Sequence, residues 1–417
     1  MTTDRSAETG VGPAAPLDGL RVVEAGTFVA VPSGAMTLGM LGAEVIRIDA
    51  IGGGSDQFRA PLATDGTSIY WASLNRGKRS VTLDLRSEEG RELAIAIATA
   101  PGPDAGVFLT NSIGAGWFDD ETLRSRREDM ITLRLTGYPD GRPALDYTVN
   151  WEIGFPAVTG ARGSDAPTMH VLPAWDLLAG AHAAIALLAA ERRRSRTGRG
   201  EAMTLSLHDI ALWASDALGY LAEVQVLGRG RERSGEFVYG AFGTAFPTSD
   251  GGSVMIVALT RRQWKDLLDV TGTAERIAEL EGELGVDLSD EHVRYAHRAR
   301  VRDVIAPWFA ARGEQEALEA LRPTRLVASG LGTFERVVEE TVPGSDLFAD
   351  VVHPRLGPLR AMGASLRFSE ATRRPTPVGP LLGADTEQVL SEVLGLTGTE
   401  IGSLRDRRVI ATGDGGS

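Results

Sequence analysis

An aspartate stands near the start of a long apolar segment in the middle of the chain. Within Val171–Glu191, Pro173 predicts a helix start, and Asp176 falls in or just before the first helical turn. The helix dipole favours an ionised carboxylate there, so Asp176 could simply cap the helix, and the pattern alone favours that interpretation. The other interpretation is a reactive carboxylate, because Trp175 and the surrounding leucines and small residues would form a tight apolar pocket.

A basic turn leads into a strand nearer the N-terminus. The segment Leu74–Arg86 reads LNRGKRSVTLDLR and ends just before a new helix. In parallel α/β sheets, ligands bind beyond the carboxyl ends of the strands, where basic side chains and helix N-termini hold phosphate. Arg86 is therefore a candidate phosphate ligand, although a solvated basic hairpin explains the same pattern equally well.

Other patterns exclude more than they indicate. The segment Tyr239–Gly243 (YGAFG) predicts a flexible loop, and Asp146 stands among apolar neighbours without a role that its pattern assigns. No GxGxxG opens a helix after a strand, and neither a Walker A lysine nor a GxSxG elbow is present. The six histidines form no HxH or HExxH pattern and cysteine is absent, so we predict no metal site.

The composition is that of an ordinary globular protein. The 417 residues have a net charge of −13, which argues against a nucleic-acid or anionic-membrane surface. The longest apolar run, Leu177–Ala190, is interrupted by His182 and is too short to span a bilayer. The polar residues 1–16 predict a disordered leader, and the lack of cysteine suits a reducing compartment. We therefore expect a cytoplasmic protein that binds neither nucleic acid nor membrane.

Strands and helices alternate from Leu20 to about Val224. This alternation predicts parallel βαβ units in a doubly wound α/β sheet. Near Leu227 the sequence becomes charged and glycine-rich, and one clear strand and several amphipathic helices follow. We predict a smaller α+β domain there, and a C-terminal part that could rejoin the first domain.

Five segments, in order along the chain, resemble the class III CoA-transferase family, which also contains the α-methylacyl-CoA racemases. They read PLDGLRVVEAG, LGAEVIRID, LNRGKRSVTLDLRSEEGRELA, RTGRGEAMTLSLHDIAL and PLLGADTEQVLSEVLGL. The resemblance implies a large Rossmann-like, CoA-binding domain with a parallel sheet, formed by 17–226 and 340–417. It also implies a small inserted α+β domain at 227–339 and an interlocked homodimer.

The resemblance also implies the site residues. The catalytic aspartate corresponds to Asp176. The implied CoA contacts are Val29, Ala30, Leu83, Asp84, Leu85, Arg86 and Asn111. Ala50 stands where the family often has a basic residue, so Arg47 and Arg86 are expected to supply the missing adenine or phosphate contact.

The implied chemistry is the transfer of coenzyme A between carboxylates. Acyl-CoA and a small carboxylic acid are the substrates, CoA is a co-substrate, and no bound cofactor is needed. Asp176 would attack the thioester and carry CoA as an aspartyl thioester. Backbone N–H groups at the helix start, and the loop of Tyr239, Gly240 and Gly243, would stabilise the oxyanions, with Asp146 close to the substrate.

Further segments indicate a branch of the family. The racemases place a histidine in a GHD-type motif, but Leu145 occupies that place here, so two-base epimerisation lacks its second proton-transfer group. The segments DYTVNWEIGFPAVTG, HVLPAWDLLAG and VYGAFGTAF resemble the mesaconyl-CoA C1–C4 transferases, which move CoA between two carboxyls of one molecule. The alternatives are a racemase, an intermolecular transferase on another small dicarboxylate, and a non-catalytic acyl-CoA-binding dimer.

Overall fold

The structure, a computed structural model, describes residues 15–112 and 116–413. The predicted leader therefore lies outside the described residues, apart from Ala15 and Pro16. The chain divides into two compact units. The first comprises 171–221 and the described parts of 1–153 and 344–417, and the second comprises 154–170 and 222–343.

The strands are numbered in chain order. They are β1 (Arg21–Ala25), β2 (Glu44–Ala50), β3 (Lys78–Leu83), β4 (Val107–Thr110), β5 (Ile131–Thr136), β6 (Glu201–Ser206), β7 (Phe242–Pro247), β8 (Ser253–Ala258), β9 (Val327–Gly330), β10 (Phe348–His353), β11 (Gly357–Met362) and β12 (Ile410–Ala411).

The helices are numbered in the same way. They are α1 (Ala30–Met40), α2 (Ile69–Leu74), α3 (Glu88–Thr99), α4 (Asp120–Arg126), α5 (Asp146–Glu152), α6 (Phe155–Val158), α7 (Ala174–Thr197), α8 (Leu207–Ala217), α9 (Tyr220–Leu227), α10 (Arg261–Thr271), α11 (Ala274–Leu284), α12 (Glu291–Ala296), α13 (Arg298–Ala310), α14 (Glu314–Leu321), α15 (Phe334–Arg336), α16 (Thr386–Leu394) and α17 (Gly398–Asp406). Short 3₁₀ turns at Ser55–Phe58 and Gly116–Phe118 and a π-turn at Val337–Thr341 complete the set.

A seven-stranded sheet forms the centre of the first unit. Its strand order is β12-β3-β2-β1-β4-β5-β6, and β1 to β6 are parallel to one another, whereas β12 is antiparallel to β3. Buried valine, isoleucine and leucine fill the central strands, which is typical of parallel strands covered on both faces. The strand order reverses between β1 and β4, and open sheets of this kind bind ligands beyond the strand ends at that point. The predicted α/β class with a large parallel sheet is confirmed.

Helices α1 and α7 pack against each other at two glycines. A Cβ atom on Gly34 would lie 2.8 Å from the carbonyl oxygen of Gly180, and one on Gly180 would lie 2.3 Å from Oγ of Ser33. Glycine at both positions therefore permits a close approach of the two backbones. Because Gly180 lies one turn after Asp176, this contact fixes the start of α7 beside the first turns of α1.

Helix α7 is long and apolar enough to cross a membrane by length and composition, contrary to the expectation from the run Leu177–Ala190. That criterion is weak evidence, because the core helices of globular proteins also meet it. In this structure α7 packs against α1, α8, β5 and β6 of its own unit. Eight of its 24 residues are buried in the structure.

The C-terminal segment covers the outer edge of β3. The backbone of β12 pairs antiparallel with Thr82 and Leu83. At the start of α16, the side chains of Asp385 and Thr386 accept hydrogen bonds from the amides of Ser80 (2.8 Å) and Thr82 (3.1 Å). Residues from both ends of the chain therefore build this part of the sheet.

The second unit has its own core. Strands β7, β8 and β9 form an antiparallel sheet, and helices α10, α11, α13 and α14 contribute apolar side chains that pack with it. Phe246 and Phe309 stack at the centre with ring centroids 4.4 Å apart, and both are fully buried. The arrangement is α+β.

The unit boundaries differ from the predicted ones mainly at 154–170. This segment was predicted to belong to the large domain, but it groups with the second unit. The guanidinium of Arg233 donates hydrogen bonds to the carbonyl oxygens of Ala157 (2.8 Å), Ser164 (2.6 Å) and Ala166 (2.7 Å). One arginine thus ties the segment to residues that follow about 70 positions later.

Candidate active site

Asp146 caps the helix that carries Asp176. The Asp146 carboxylate accepts hydrogen bonds from the amides of Trp175 (2.7 Å) and Asp176 (3.1 Å) in the first turn of α7. Pro173, at the N-cap position, makes no side-chain hydrogen bond there. The capping interpretation of Asp176 is therefore wrong. Asp146, to which the sequence pattern assigned no role, is the cap.

The carboxylate of Asp176 is consequently available for chemistry. Within the described part of the chain, no hydrogen bond or ion pair engages its oxygens. Burial raises the pKa of Asp176 to about 7, the charge of Asp146 acts in the same direction, and the charge of Arg59 opposes them. An anion that its surroundings stabilise so poorly near neutral pH is suited to act as a nucleophile.

The main-chain amides at the start of α7 are already engaged. The amides of Ala174 and Leu177 donate to the carbonyl oxygens of Leu172 and Pro173, and Asp146 accepts from the two amides between them. The prediction that this helix start stabilises an oxyanion is therefore wrong. The reason is tertiary, because the cap comes from a helix that precedes α7 by about 30 residues.

The first turn of α1 provides the open amides instead. Val29 and Ala30 line the same cavity as Asp176. Among the described residues, their amides have no hydrogen-bond acceptor. A helix N-terminus with unpaired amides favours negative charge, so this turn can stabilise an oxyanion that forms near Asp176.

The turn that leads into α1 is held in an unusual conformation. Phe28 has a φ of 65°, in the left-handed region that bulky side chains rarely adopt. The Asn111 side chain bonds both the N–H and the C=O of Thr27 at 3.0 Å, and Asp56 accepts from the Phe28 amide at 3.2 Å. Asn111 follows β4 and Thr27 follows β1, so these bonds lie where the strand order reverses.

A cavity of about 100 Å³ joins these elements. Asp176, Asn111, Val29 and Ala30, all predicted site residues, line it together. Among its lining residues in the described chain, Asp176 is the only one with a titratable side chain. Leu145 also lines it and is 58% exposed, so the position that holds histidine in the racemases presents an apolar side chain here.

A larger cavity, of about 480 Å³, lies in the same unit. Ile51, Trp71 and His353 are among its lining residues, and none of the predicted site residues is. The volume of a cavity therefore does not identify the functional site in this unit. The carboxylate of Asp176, which has no partner among the described residues, identifies it.

Arg47 is not available to a phosphate group. Its side chain is fully buried, and its guanidinium bonds Asp49 at 2.7 and 2.9 Å, Glu24 at 3.2 Å and Asp56 at 3.2 Å. Lys78 bonds the same Glu24 carboxylate at 2.8 Å. We call Glu24, Arg47, Asp49, Asp56, Asn75 and Lys78 the Arg47 cluster. The predicted adenine or phosphate contact of Arg47 is wrong, because these buried partners occupy its donors.

The end of β3 presents one solvated cation. The Arg86 side chain is 96% exposed and lies 3.5 Å from Asp84, whereas the Leu83 side chain is fully buried and Leu85 packs against the same core. A Cβ on Gly90 would lie 2.2 Å from the Asp84 carbonyl oxygen, so the chain turns tightly into α3. Arg86 is placed as the phosphate prediction requires, and that role stays a prediction.

The YGAFG segment belongs to the second unit. Tyr239 is exposed and Gly240 has a φ of 79°, as expected in a turn. Gly243 is different, because it lies in β7 and pairs with Val257. The prediction of a flexible loop is therefore wrong at Gly243, and the oxyanion role of the segment stays a prediction.

Sequence reasoning missed two side chains near Asp176. The guanidinium of Arg59 lies over the rings of Phe28 and Tyr70, 5.8 and 5.2 Å from their centroids. Burial raises the pKa of Tyr70 to about 12, so its phenol stays protonated and can donate a hydrogen bond. Arg59 and Tyr70 lie about ten positions apart in a segment without a motif, so no sequence pattern indicated that they lie near the site.

Comparison with known proteins identifies the family of the chain. Residues 17–386 match the model of CoA-transferase family III. A 2-methylfumaryl-CoA isomerase of Chloroflexus aurantiacus is 41% identical over 402 residues, which cover 95% of this chain and 98% of that protein. The β subunit of the succinyl-CoA–L-malate CoA-transferase of the same organism is 28% identical, over 95% of this chain and 98% of that subunit.

Solved structures share the fold. A CAIB/BAIF family protein from Brucella suis superposes with a TM-score of 0.76 at 24% identity, over 91% of this chain and 100% of that one. A hypothetical protein from Mycobacterium tuberculosis (Rv3272) gives a TM-score of 0.72 at 26% identity, with the same coverage. The predicted family is confirmed: the chain belongs to CoA-transferase family III.

Proposed function

We propose that the protein is an intramolecular CoA-transferase that moves CoA from the C1 to the C4 carboxyl of mesaconyl-CoA (2-methylfumaryl-CoA). The carboxylate of Asp176 carries the proposal, because it lines the cavity, has no hydrogen-bond partner among the described residues, and does not cap its helix, which Asp146 does. The relative at 41% identity, a 2-methylfumaryl-CoA isomerase, supports this substrate.

The reaction is a covalent relay. The Asp176 carboxylate attacks the C1 thioester carbonyl and expels CoA thiolate, which leaves a mixed anhydride. The thiolate attacks the aspartyl carbonyl of the anhydride and releases free mesaconate, which leaves an aspartyl-CoA thioester. Mesaconate then turns, and its C4 carboxylate attacks that thioester to form a second anhydride. The thiolate finally attacks the C4 carbonyl and regenerates Asp176.

The surroundings of Asp176 suit each step. Each attack on a carbonyl creates an oxyanion, and the unpaired amides of Val29 and Ala30 at the start of α1 can stabilise it. The raised pKa of Asp176 makes its carboxylate a better nucleophile than an ordinary aspartate once it is ionised. CoA takes part as substrate and product.

The composition of the cavity favours transfer over racemisation. A two-base racemase needs a second titratable group opposite the aspartate. The described lining residues include none besides Asp176, and Leu145 occupies the place of the racemase histidine. Deuterium from solvent should therefore not enter the α-position of a racemase substrate such as 2-methylacyl-CoA.

We also propose that two copies associate, as the resemblance implies. Ile185 of α7, Trp213 of α8 and the adjacent Leu218 are 63%, 54% and 65% exposed in the single chain. Large apolar side chains on neighbouring helices of one unit suit a surface covered by a partner. Light scattering after size exclusion should give about twice the mass of the chain.

The test is incubation with mesaconyl-C1-CoA and excess ¹³C-labelled free mesaconate, followed by mass spectrometry of the thioesters. Unlabelled C4 thioester is the expected product. Label in the product would mean an intermolecular transferase, and no thioester exchange would contradict the proposed substrate. The Asp176→Asn variant is the control for any non-enzymatic exchange.

A further inference from the structure

Arg59 is an exposed cation beside the cavity of Asp176. Its guanidinium lies 5.8 Å from the centroid of the Phe28 ring, and Phe28 itself lines that cavity. Its other ring neighbour is Tyr70, at 5.2 Å. Within the described part of the chain, no carboxylate or carbonyl group accepts a hydrogen bond from this guanidinium. Arg59 thus differs from Arg47, whose donors are all turned to buried partners.

Hydrogen bonds connect the backbone around Arg59 to the helix that carries Tyr70 and to the turn that carries Phe28. The Arg59 carbonyl accepts a hydrogen bond of 2.6 Å from the hydroxyl of Ser68, which also caps the helix that carries Tyr70. Asp56, three residues before Arg59, accepts the Phe28 amide and bonds Arg47. The segment with Arg59, the turn with Phe28 and the helix with Tyr70 are therefore connected to one another by buried or partly buried hydrogen bonds.

The proposed reaction brings a second negative charge to this place. Each mesaconyl thioester retains one free carboxylate, and the diacid released midway carries two. Asp176 and Asp146 already concentrate negative charge here, and like charges in a partly buried site repel strongly. The charge of Arg59 reaches this site, because it favours the ionised form of Asp176. A planar guanidinium held against aromatic rings is well suited to bind a carboxylate through two hydrogen bonds.

We propose that Arg59 binds the non-reacting carboxylate of the dicarboxylic substrate and retains the free diacid while it turns. This inference rests on the proposed function and adds the group that selects dicarboxylic over monocarboxylic thioesters. When the free diacid exchanges one carboxylate for the other on Arg59, its C4 carboxylate, in place of the C1 carboxylate, faces Asp176. The same contact explains how a diacid could stay in the site long enough for intramolecular transfer.

The experiment compares two thioesters on the purified full-length protein. One is mesaconyl-C1-CoA, and the other is (E)-2-methylbut-2-enoyl-CoA, in which a methyl group replaces the free carboxylate. For both, the rate of aspartyl-CoA formation is followed by mass spectrometry in a single turnover. The variants are Arg59→Met, Arg59→Lys and, as a matched control, Arg126→Met. This control removes an exposed arginine that forms an ion pair with Glu92 on the surface.

The Arg59→Met variant should lower the rate with mesaconyl-CoA about ten- to hundredfold, as expected for loss of a charge-assisted bond, and barely change it with the monocarboxylic thioester. Arg59→Lys should restore part of the preference. In the labelled-mesaconate experiment, Arg59→Met should incorporate more ¹³C than the unmodified protein, because the diacid escapes. The Arg126→Met variant should behave like the unmodified protein in all three measurements.

The outcomes separate the two proposals. If the unmodified protein forms no adduct and no C4 thioester from mesaconyl-CoA, the proposed function is wrong. If it isomerises mesaconyl-CoA but Arg59→Met keeps the same preference for the diacid and the same label content, the role of Arg59 alone is wrong. An equal loss of rate with both thioesters would likewise contradict a specific contact with the free carboxylate.

Discussion

Two groups of buried charges in the first unit behave in opposite ways. In the Arg47 cluster, two cations share three carboxylates, and nearly every charged atom has a partner within about 3.2 Å. At the cavity, the carboxylate of Asp176 has no hydrogen-bond or ion-pair partner in the part of the chain that the structure describes, and Asp146 adds a second negative charge nearby. Both groups belong to the same unit, so the fold alone does not decide which charge reacts.

The two groups differ in how far nearby opposite charges offset the burial of a charged side chain. Arg47 keeps its charge because burial is offset by Asp49, Glu24 and Asp56, and its role is to connect β1, β2 and the turn after β2. Asp176 loses hydration and only the charge of Arg59 opposes this effect, so its pKa rises to about 7. Compensated charges stabilise the local structure, whereas an uncompensated charge is a candidate for chemistry.

The largest expected effect comes from removal of the uncompensated carboxylate. Asp176→Asn should lower turnover at least about 10⁴-fold, because the amide cannot form the anhydride. CoA-thioester affinity should stay nearly unchanged, as measured by calorimetry. Normal turnover in this variant would exclude Asp176 as the nucleophile.

The same variant should be more stable than the unmodified protein at alkaline pH. The pKa of Asp176 in the folded state, about 7, exceeds its ordinary value of 3.8, so the unmodified protein loses stability as pH rises between these values. After allowance for solvent screening, the gain of Asp176→Asn at pH 8 should be about 2 kcal/mol and should vanish near pH 4. Urea unfolding at the two pH values measures it, and an equal difference at both would contradict the pKa assignment.

Removal of the guanidinium from the Arg47 cluster should lower the stability, whereas Asp176→Asn should raise it. Arg47→Met leaves Glu24, Asp49 and Asp56 with fewer buried partners and should lower the free energy of unfolding by about 3–5 kcal/mol. Urea unfolding at pH 7 is the measurement. A loss of CoA-thioester affinity in a folded Arg47→Met protein, without a loss of stability, would restore its predicted ligand role.

Removal of the charge of the cap should shift the reaction on the pH scale. Asp146→Asn keeps an oxygen acceptor for the first turn of α7 but removes a charge that raises the pKa of Asp176. The pKa of Asp176 should fall, so single-turnover acylation should reach its plateau at lower pH. Stability should change by only about 1 kcal/mol. An unshifted pH profile would mean that the charge of Asp146 does not act on the nucleophile.

The smallest effect on activity is expected from the exposed Arg86 at the end of β3. Arg86→Ala should raise the KM for mesaconyl-CoA about three- to tenfold with kcat nearly unchanged, because a solvated phosphate contact contributes modestly. Raising the salt concentration should reduce the difference between the two proteins. An unchanged KM at low salt would remove Arg86 from the CoA site.

The alternation of strands and helices could be predicted because it depends on local patterns. The residue pattern predicts helices at Glu88–Thr99 and Glu314–Leu321, and α3 and α14 have these bounds. The pattern also predicts a single helix over His208–Val224, but the structure has two helices there, α8 and α9, separated at Gly219, which has a φ of 76°. Helix α5 was missed because its short polar segment carries little periodicity.

The site was predictable only where family motifs mark it. Asp176, Asn111, Val29 and Ala30 were placed by resemblance and do share a cavity. The cap at Asp146, the burial of Arg47 and the position of Arg59 depend on contacts between distant segments. Residue types and their spacing along the chain do not predict such contacts.

The covering of β3 by the last strand and by α16 has a consequence for biosynthesis. Thr82 bonds the carbonyl of Ala411, 329 positions later, and Ser80 bonds Asp385. During translation the N-terminal half of the sheet emerges from the ribosome long before these partners do. The nascent chain therefore lacks the partners of the β3 edge for most of its synthesis, and an unpaired strand edge can pair with another chain.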